Sequence, residues 1–310
     1  GAPRSAPARD TLASIIALDE PIRQLAKVPD DGTWPLEGPV WYQDGNFLLM
    51  SYVRAGRRYQ WSQVAGLSLV SESTNQGCGM TRDREGRLIV CEIGARRVTR
   101  QEPDGSVTVI ARSYRGLPLN HPNDVVVKSD GAVYFTDPWG PFDGEPPGEQ
   151  DQEYPGVYRV APDASKITLL VRDFVFPNGL AFSPDEKILY INDYRRRLIR
   201  AFDVQPKGGL DLASDRVFCD LRGDRPGLPD GMKVDVEGNV YCGGAGGTWI
   251  IDPSGRHLGT IVHGDPATTN LAWGGGDWKT LFITTYHTLY GVRTRIAGVP
   301  VPAVEPEICA

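Results

Sequence analysis

One pattern recurs six times along this 310-residue chain, and it limits the fold more tightly than any other feature. The copies are EGPVWYQDGNFLLMSY from Glu37, CGMTRDREGRLIVCE from Cys78, NDVVVKSDGAVYFTD from Asn123, NGLAFSPDEKILYIND from Asn178, DGMKVDVEGNVYCGG from Asp230 and TNLAWGGGDWKTLFITT from Thr269. Each reads as an apolar strand, a tight turn around Asp-Gly, Glu-Gly or an equivalent, and a second apolar strand, which is the signature of a β-hairpin. Successive copies start 41, 45, 55, 52 and 39 residues apart, the length of a four-stranded propeller blade with variable loops. The expected fold is therefore all-β, a six-bladed β-propeller. Further strand pairs lie between the copies, such as RRVTRQEPDGSVTVIA and GVYRVAPDASKITLLV, and supply the outer halves of blades. The alternation in PIRQLAKV is expected to add the missing outer strand to the last blade and close the ring. On this reading residues 1–20 are a partly flexible N-terminal extension and residues 21–310 form a single propeller.

Composition agrees and excludes other classes. Gly 36 and Pro 25 suit a chain with many turns, and no long stretch carries apolar residues at helical spacing. A net charge of -6 argues against a nucleic-acid surface, which needs clustered Lys and Arg. The one basic cluster, Arg195, Arg196 and Arg197, reads as a solvated hairpin turn. No apolar run reaches the length of a membrane span. A soluble chain is expected, with the cytoplasm favoured over a periplasmic or secreted location. Five cysteines form no CxxC pair, so free thiols are expected in place of a zinc cage or a disulfide framework. The stretch from Pro138 to Pro155 is the longest interruption of the repeat and reads as a loop over the channel mouth.

Alignment of the repeats puts Glu37, Cys78, Asn123, Asn178, Asp230 and Thr269 at one equivalent position, just before or at the start of the first strand. Equivalent positions in a propeller lie on one ring around the axis. A purely structural repeat would use the same small or apolar residue each time, whereas this ring holds two carboxylates and two amides. Oxygen donors of that kind suit a hard divalent cation, and a cation relieves the repulsion between carboxylates in a narrow channel.

The strings LEGPVW, HPNDVVV with DGAVYFTDP, FPNGLAFSPDE and LPDGMKVDVEGNVYC resemble the senescence marker protein, gluconolactonase and luciferin-regenerating enzyme family, which includes regucalcin. The resemblance runs from Glu37 to about Val292, with four motifs in the right order. It implies one divalent metal in the central channel, Ca²⁺ first and Zn²⁺, Mn²⁺ or Mg²⁺ as alternatives, held by Glu37, Asn178 and Asp230. It places Asn123 at the metal or the substrate, and it implies hydrolysis of a small-molecule lactone or related ester. One position departs from the pattern: some sugar-lactonases of the family carry Arg two residues before that Asn, and this chain has His121.

The expected chemistry is attack of water on a metal-polarised carbonyl, with Asp230 as both ligand and proton acceptor. Asn123 and His121 are the candidate substrate-binding residues. Asp124 and Asp137 read as groups that hold water or cap turns, Cys78 as a pocket wall, and His287 as a hydrogen-bonded loop residue. The segment GGAGG at Gly243 to Gly247 lacks dinucleotide spacing and reads as a close backbone approach within a blade. Two alternatives stand beside the lactonase: a phosphotriesterase of the diisopropyl fluorophosphatase type, and a non-catalytic calcium-binding propeller.

Overall fold

Each of the six repeats forms the inner hairpin of a four-stranded antiparallel sheet. The computed structural model describes residues 8–17, 19–139 and 150–302. The inner hairpins are Leu36–Tyr42 with Phe47–Tyr52, Gly77–Arg82 with Leu88–Glu92, and Val125–Val127 with Val133–Asp137 in blades 1 to 3. Blades 4 to 6 use Pro177–Phe182 with Ile188–Asp193, Met232–Val234 with Val240–Gly244, and Asn270–Gly274 with Thr280–Thr284. The first strand of every hairpin contacts the first strands of the blades on either side, so the six surround a common axis. The strand pairs expected to lie outside them do so, Arg97–Gln101 with Val107–Ala111 in blade 2 and Gly156–Val160 with Ile167–Val171 in blade 3.

The core is divided among the seams between blades. Six apolar clusters each join two neighbouring blades. Because successive side chains of a strand point to opposite faces, one strand serves two seams. In blade 4, Leu180 and Leu189 pack toward Tyr134 and Val157 of blade 3, while Ala181 and Tyr190 pack toward Met232 and Val240 of blade 5. This is why the repeats read as near-continuous apolar runs and not as alternating ones.

Polar side chains on the second strands tie the inner ends of the seams. Ser51 Oγ donates to the carbonyl of Cys78 at 2.8 Å, Thr136 Oγ1 to that of Asn178 at 2.7 Å, and Asn192 Nδ2 to that of Asp230 at 2.6 Å. In each case the residue held is the ring residue of the next blade. The sixth seam is closed by Thr269 Oγ1, which donates to the carbonyl of Leu36 at 2.5 Å.

Closure of the ring uses Arg23–Lys27, which pairs with Thr288–Arg293 as the outer strand of blade 6. Residues ahead of that strand also pack. A short helix, Ala8–Ala13, leads to Ile15 and Ile16, which are buried in the cluster between blades 5 and 6, and Ile16 bridges to Thr294. Part of the expected N-terminal extension is thus built into a seam. The Arg195 to Arg197 cluster is the turn between two strands of blade 4, with Asp193 Oδ1 accepting from the backbone N–H of Arg195 and Arg196. The glycine-rich Gly243 to Gly247 stretch forms the turn that joins Val240–Gly244 to Gly247–Ile251 in blade 5. Cys78, Cys91, Cys219 and Cys242 are buried free thiols. Most of the loop expected over the channel mouth, residues 140–149, lies outside the described residues, as does Cys309. Among the described residues no helix is long and apolar enough to cross a membrane.

Thr136 tests the seam directly, because its hydroxyl also accepts from the backbone N–H of Asp124 at 3.2 Å. Thr136→Val keeps the shape and leaves two buried backbone groups without that partner, so a loss of about 1–3 kcal/mol is expected. Urea denaturation measures it, and a variant as stable as the parent would show that these bonds do not hold the seam.

Candidate functional site

A cavity of about 390 Å³ opens at the end of the channel where the inner strands begin, and four of the six ring residues line it: Glu37, Cys78, Asn123 and Asp230. The strands are irregular at three ring residues, Cys78 among them, where the register of blade 2 shifts between Gly77 and Met80. The register of blade 1 shifts between Glu37 and Val40, and that of blade 4 between Pro177 and Leu180, bulges of the kind that re-aim a side chain. Asn178 is fully buried; its amide lies against the Asp230 carboxyl, and its Oδ1 lacks a hydrogen-bond partner among the described residues. An orphaned amide oxygen at such a position is rare and calls for a partner of another kind.

Around Asn178 the electrostatics are dominated by three carboxyl groups. Burial pushes Glu37 up to about 8 from the usual 4.5, and the charge of Asp124 adds to the rise. Bonds from Asn270 and from the backbone of Gly38, and the Lys233 ammonium, pull the other way. Asp230 is raised well above the usual carboxylate range by burial, then by the charges of Glu37 and Asp124, with the Asn178 amide opposing. Asp124 is raised by burial, while Lys233 and the donors around it act against the rise. The structure therefore brings Glu37, Asn178 and Asp230 together as expected, with Asp124 beside them.

The donor set fits a hard divalent cation. Two carboxylates and an orphaned amide oxygen are oxygen ligands of the kind Ca²⁺ or Mg²⁺ takes. Among the described residues no three His, Cys, Asp or Glu side chains are placed to hold a metal by themselves, so amide oxygens would have to complete the set. Asn123 is the second available amide. It is buried, faces the same cavity, and its Oδ1 accepts from Cys78 Sγ at 3.9 Å. Burial and the nearby carboxylates push the Cys78 thiol well up, so it serves as a neutral wall.

Other expectations resolve differently from one another. Thr269 occupies a ring position, but its hydroxyl turns to the seam with Leu36. His121 is half-buried and does not appear among the residues that line the cavity. His287 is a loop residue whose Nε2 contacts the carbonyl of Thr33 at 2.8 Å. Asp137 accepts from the backbone N–H of Asn120 at 2.8 Å, and burial lifts it to about 7.

Two functional positions were not singled out from the sequence, Asn270 and Lys233. Asn270 Nδ2 donates to Glu37 Oε2 at 3.0 Å and approaches Asp124 Oδ2 at 3.4 Å, while Lys233 Nζ donates to Asn270 Oδ1 at 3.1 Å. A signal for Asn270 does exist. Four repeats carry Gly directly after the ring residue, and the other two carry Asp124 and Asn270. Each exception fits because the preceding blade has Gly: a Cβ on Gly79 would lie 2.5 Å from Asp124 Oδ1, and one on Gly231 would lie 1.9 Å from Asn270 Cγ. Thr268 also lines the cavity, with His263 behind it. His263 Nδ1 accepts from the backbone N–H of Asp265, which leaves the ring proton on Nε2, 2.7 Å from Thr268 Oγ1. In that tautomer the ring donates to Thr268 and cannot activate it as a nucleophile. The mouth adds an aromatic wall of Trp34 and Tyr286, ring centres 5.0 Å apart, with the Arg54 guanidinium 3.7 Å from the Trp34 ring centre.

Comparison with known proteins identifies the family and the fold. A family model described as the SMP-30/Gluconolactonase/LRE-like region matches residues 35–287. A gluconolactonase from Zymomonas mobilis is 32% identical over 93% of this chain and 85% of its own length. Among solved structures, one described as a putative gluconolactonase superposes with a TM-score of 0.83 at 30% identity, over 93% of this chain and 97% of that one. A gluconolactonase from Xanthomonas campestris superposes with a TM-score of 0.81 at 31% identity, over 91% of this chain and 92% of that one.

The raised carboxyl groups carry a pH dependence whose sign follows from linkage. With its value near 8 against 4.5, Glu37 keeps a proton in the metal-free folded chain that the unfolded chain has lost, so stability falls as pH rises through that window. Asp137 acts in the same direction up to about 7. His257 and His263, lowered by burial from 6.5, act oppositely, but below that value. In chelator, the parent is expected to lose stability between pH 7 and pH 8, and Glu37→Gln to lose less. Denaturation curves with equal pH slopes for the two proteins would contradict the assignment.

Proposed function

This chain belongs to the SMP-30/gluconolactonase/LRE-like family, and we propose that it is a divalent-metal-dependent lactonase that opens a lactone or related ester by attack of water on the acyl carbon. The observation that carries the reading is the meeting of Glu37, Asp230 and the orphaned Asn178 amide oxygen beside a cavity large enough for a small cyclic ester. The similarity to gluconolactonases at 30% identity and above supports the substrate class. In this reading residues 21–310 act as one propeller and hold a single cation, Ca²⁺ by preference for an all-oxygen set, with Mg²⁺, Mn²⁺ and Zn²⁺ as the other candidates.

A bound cation supplies Lewis-acid polarisation of the carbonyl oxygen. The rest falls to the chain. Asp230 keeps part of its surface open to the cavity, where its carboxylate can meet the attacking water. It takes the proton of the attacking water as the new carbon–oxygen bond forms. The ring carbon–oxygen bond breaks, and the proton passes from Asp230 to the departing alkoxide. Asn123 presents its amide from the cavity wall to a substrate oxygen, and Trp34 with Tyr286 offers apolar faces to the substrate ring.

Elemental analysis of the purified protein, followed by assay of γ- and δ-lactones and aryl phosphotriesters with and without chelator, tests the reading. Chelator-sensitive lactone hydrolysis is expected. A preference for phosphotriesters would favour the phosphotriesterase alternative, and a protein that takes up no divalent ion would overturn the metal. Asp230→Asn is expected to retain metal and lose roughly 10²–10⁴-fold in kcat. Near-parental turnover would remove Asp230 as the base.

A further inference from the structure

We infer that Lys233 is a positioning residue that acts through Asn270 to hold the Glu37 carboxylate in the orientation that binds the cation. The inference rests on the proposal that Glu37 is a metal ligand, and it concerns residues that come from the two blades on the other side of the channel seam.

The geometry begins with the Asn270 amide, whose two ends are told apart by their partners. Its Oδ1 accepts from Lys233 Nζ at 3.1 Å and from the backbone N–H of Leu271 at 2.8 Å. Both partners have hydrogens to give and no lone pair to offer, so the oxygen end must face them. The nitrogen end is thereby turned to Glu37 Oε2 at 3.0 Å, with Asp124 Oδ2 at 3.4 Å. Glu37 Oε2 is also bonded by the backbone N–H of Gly38. With one oxygen bonded by two donors, the plane of the carboxylate is set. Asn270 is buried, with 1% of its surface exposed.

Lys233 reaches this point from the far end of the channel. It sits in the short strand Met232–Val234, three residues after Asp230, and its side chain lines a second cavity together with Val126, Phe182 and Trp273. Its stem therefore packs on apolar side chains while its ammonium enters the polar layer beneath the ring. Gly231 makes the approach possible, since a side chain there would occupy the space of Asn270. Loss of the Lys233 donor would leave the Leu271 N–H as the remaining partner of the amide oxygen and loosen the side chain that donates to Glu37. Groups that orient a ligand in this way typically matter by 10- to 100-fold in metal affinity.

The experiment is a calorimetric titration of Ca²⁺ into chelator-stripped protein, with thermal unfolding of the same metal-free samples. Lys233→Met is expected to weaken Ca²⁺ binding at least about tenfold, and Lys233→Arg, which keeps the donor, to restore it to within about threefold. Asn270→Ser shortens the side chain so that it no longer spans Lys233 and Glu37, and it is expected to weaken binding likewise while adding no bulk to the fold. Equal or tighter Ca²⁺ binding in Lys233→Met would overturn the inference, because a lysine that acted by charge alone would repel the cation and its removal would help. Lower melting temperatures with unchanged affinity would also overturn it, as the mark of a structural role. A parent protein that binds no divalent ion fails at the first titration, and that result counts against the metal reading itself before any variant is compared.

Discussion

Everything at the candidate site depends on how one blade grips the next. The ring residues are not held by their own sheets alone. Their carbonyls accept from hydroxyl and amide groups of the preceding blade, as Thr136 holds Asn178 and Asn192 holds Asp230. These bonds lie at the inner end of seams whose outer parts are packed with Leu, Tyr and Phe. Apolar packing sets the spacing of the blades, and the buried polar contacts fix where along that spacing each functional side chain projects. Because a buried hydrogen bond is costly to lose, the position of a ligand is coupled to the stability of the seam beside it.

That coupling explains how much of the site was legible in the sequence. The repeats gave the hairpins because each contains its own turn chemistry, and the hairpins gave the ring because equivalent positions must converge. Glu37, Asn123, Asn178 and Asp230 could be found in this way. Lys233 could not, and Asn270 shows only as an exception to the Gly that follows the ring residue in four repeats, since their importance comes from contacts between residues 37, 124, 233 and 270. Thr269 shows the converse: it holds a ring position by alignment, yet its β-branched hydroxyl finds a better partner in the seam. Ile15 and Ile16 went unread for a simpler reason. Two apolar residues beside a Pro- and Ala-rich stretch make no periodic signal, and their burial depends on a seam formed by strands from the other end of the chain.

The charges around the channel are arranged in layers. Glu37, Asp124 and Asp230 crowd into a buried space where Asp124 raises the proton affinity of Glu37 and both raise that of Asp230, and the nearby ammonium of Lys233 balances part of the charge on Glu37 and Asp124. Such a cluster is expensive to form without compensation. The amides of Asn178 and Asn270 answer this differently: Asn270 is engaged at both ends, whereas the Asn178 oxygen has no hydrogen-bond partner among the described residues. One amide is thus structural and the other is available. The two neighbouring requirements, a rigid frame and an open donor, are met by the same residue type in different blades.

The pairing of Arg23–Lys27 with Thr288–Arg293 has a consequence for the order in which the molecule can assemble. Blades 1 to 5 are each continuous in sequence, and their internal hairpins can form early from local contacts. Blade 6 cannot be completed until the two ends of the chain meet, and contacts between residues so far apart in sequence form late because the intervening loop must first be ordered. Glu37 stands at the joint, on the blade that the last seam joins to Asn270. The polar layer beneath the cavity is therefore among the last parts of the protein to come into existence, and its presence reports that the circle has closed.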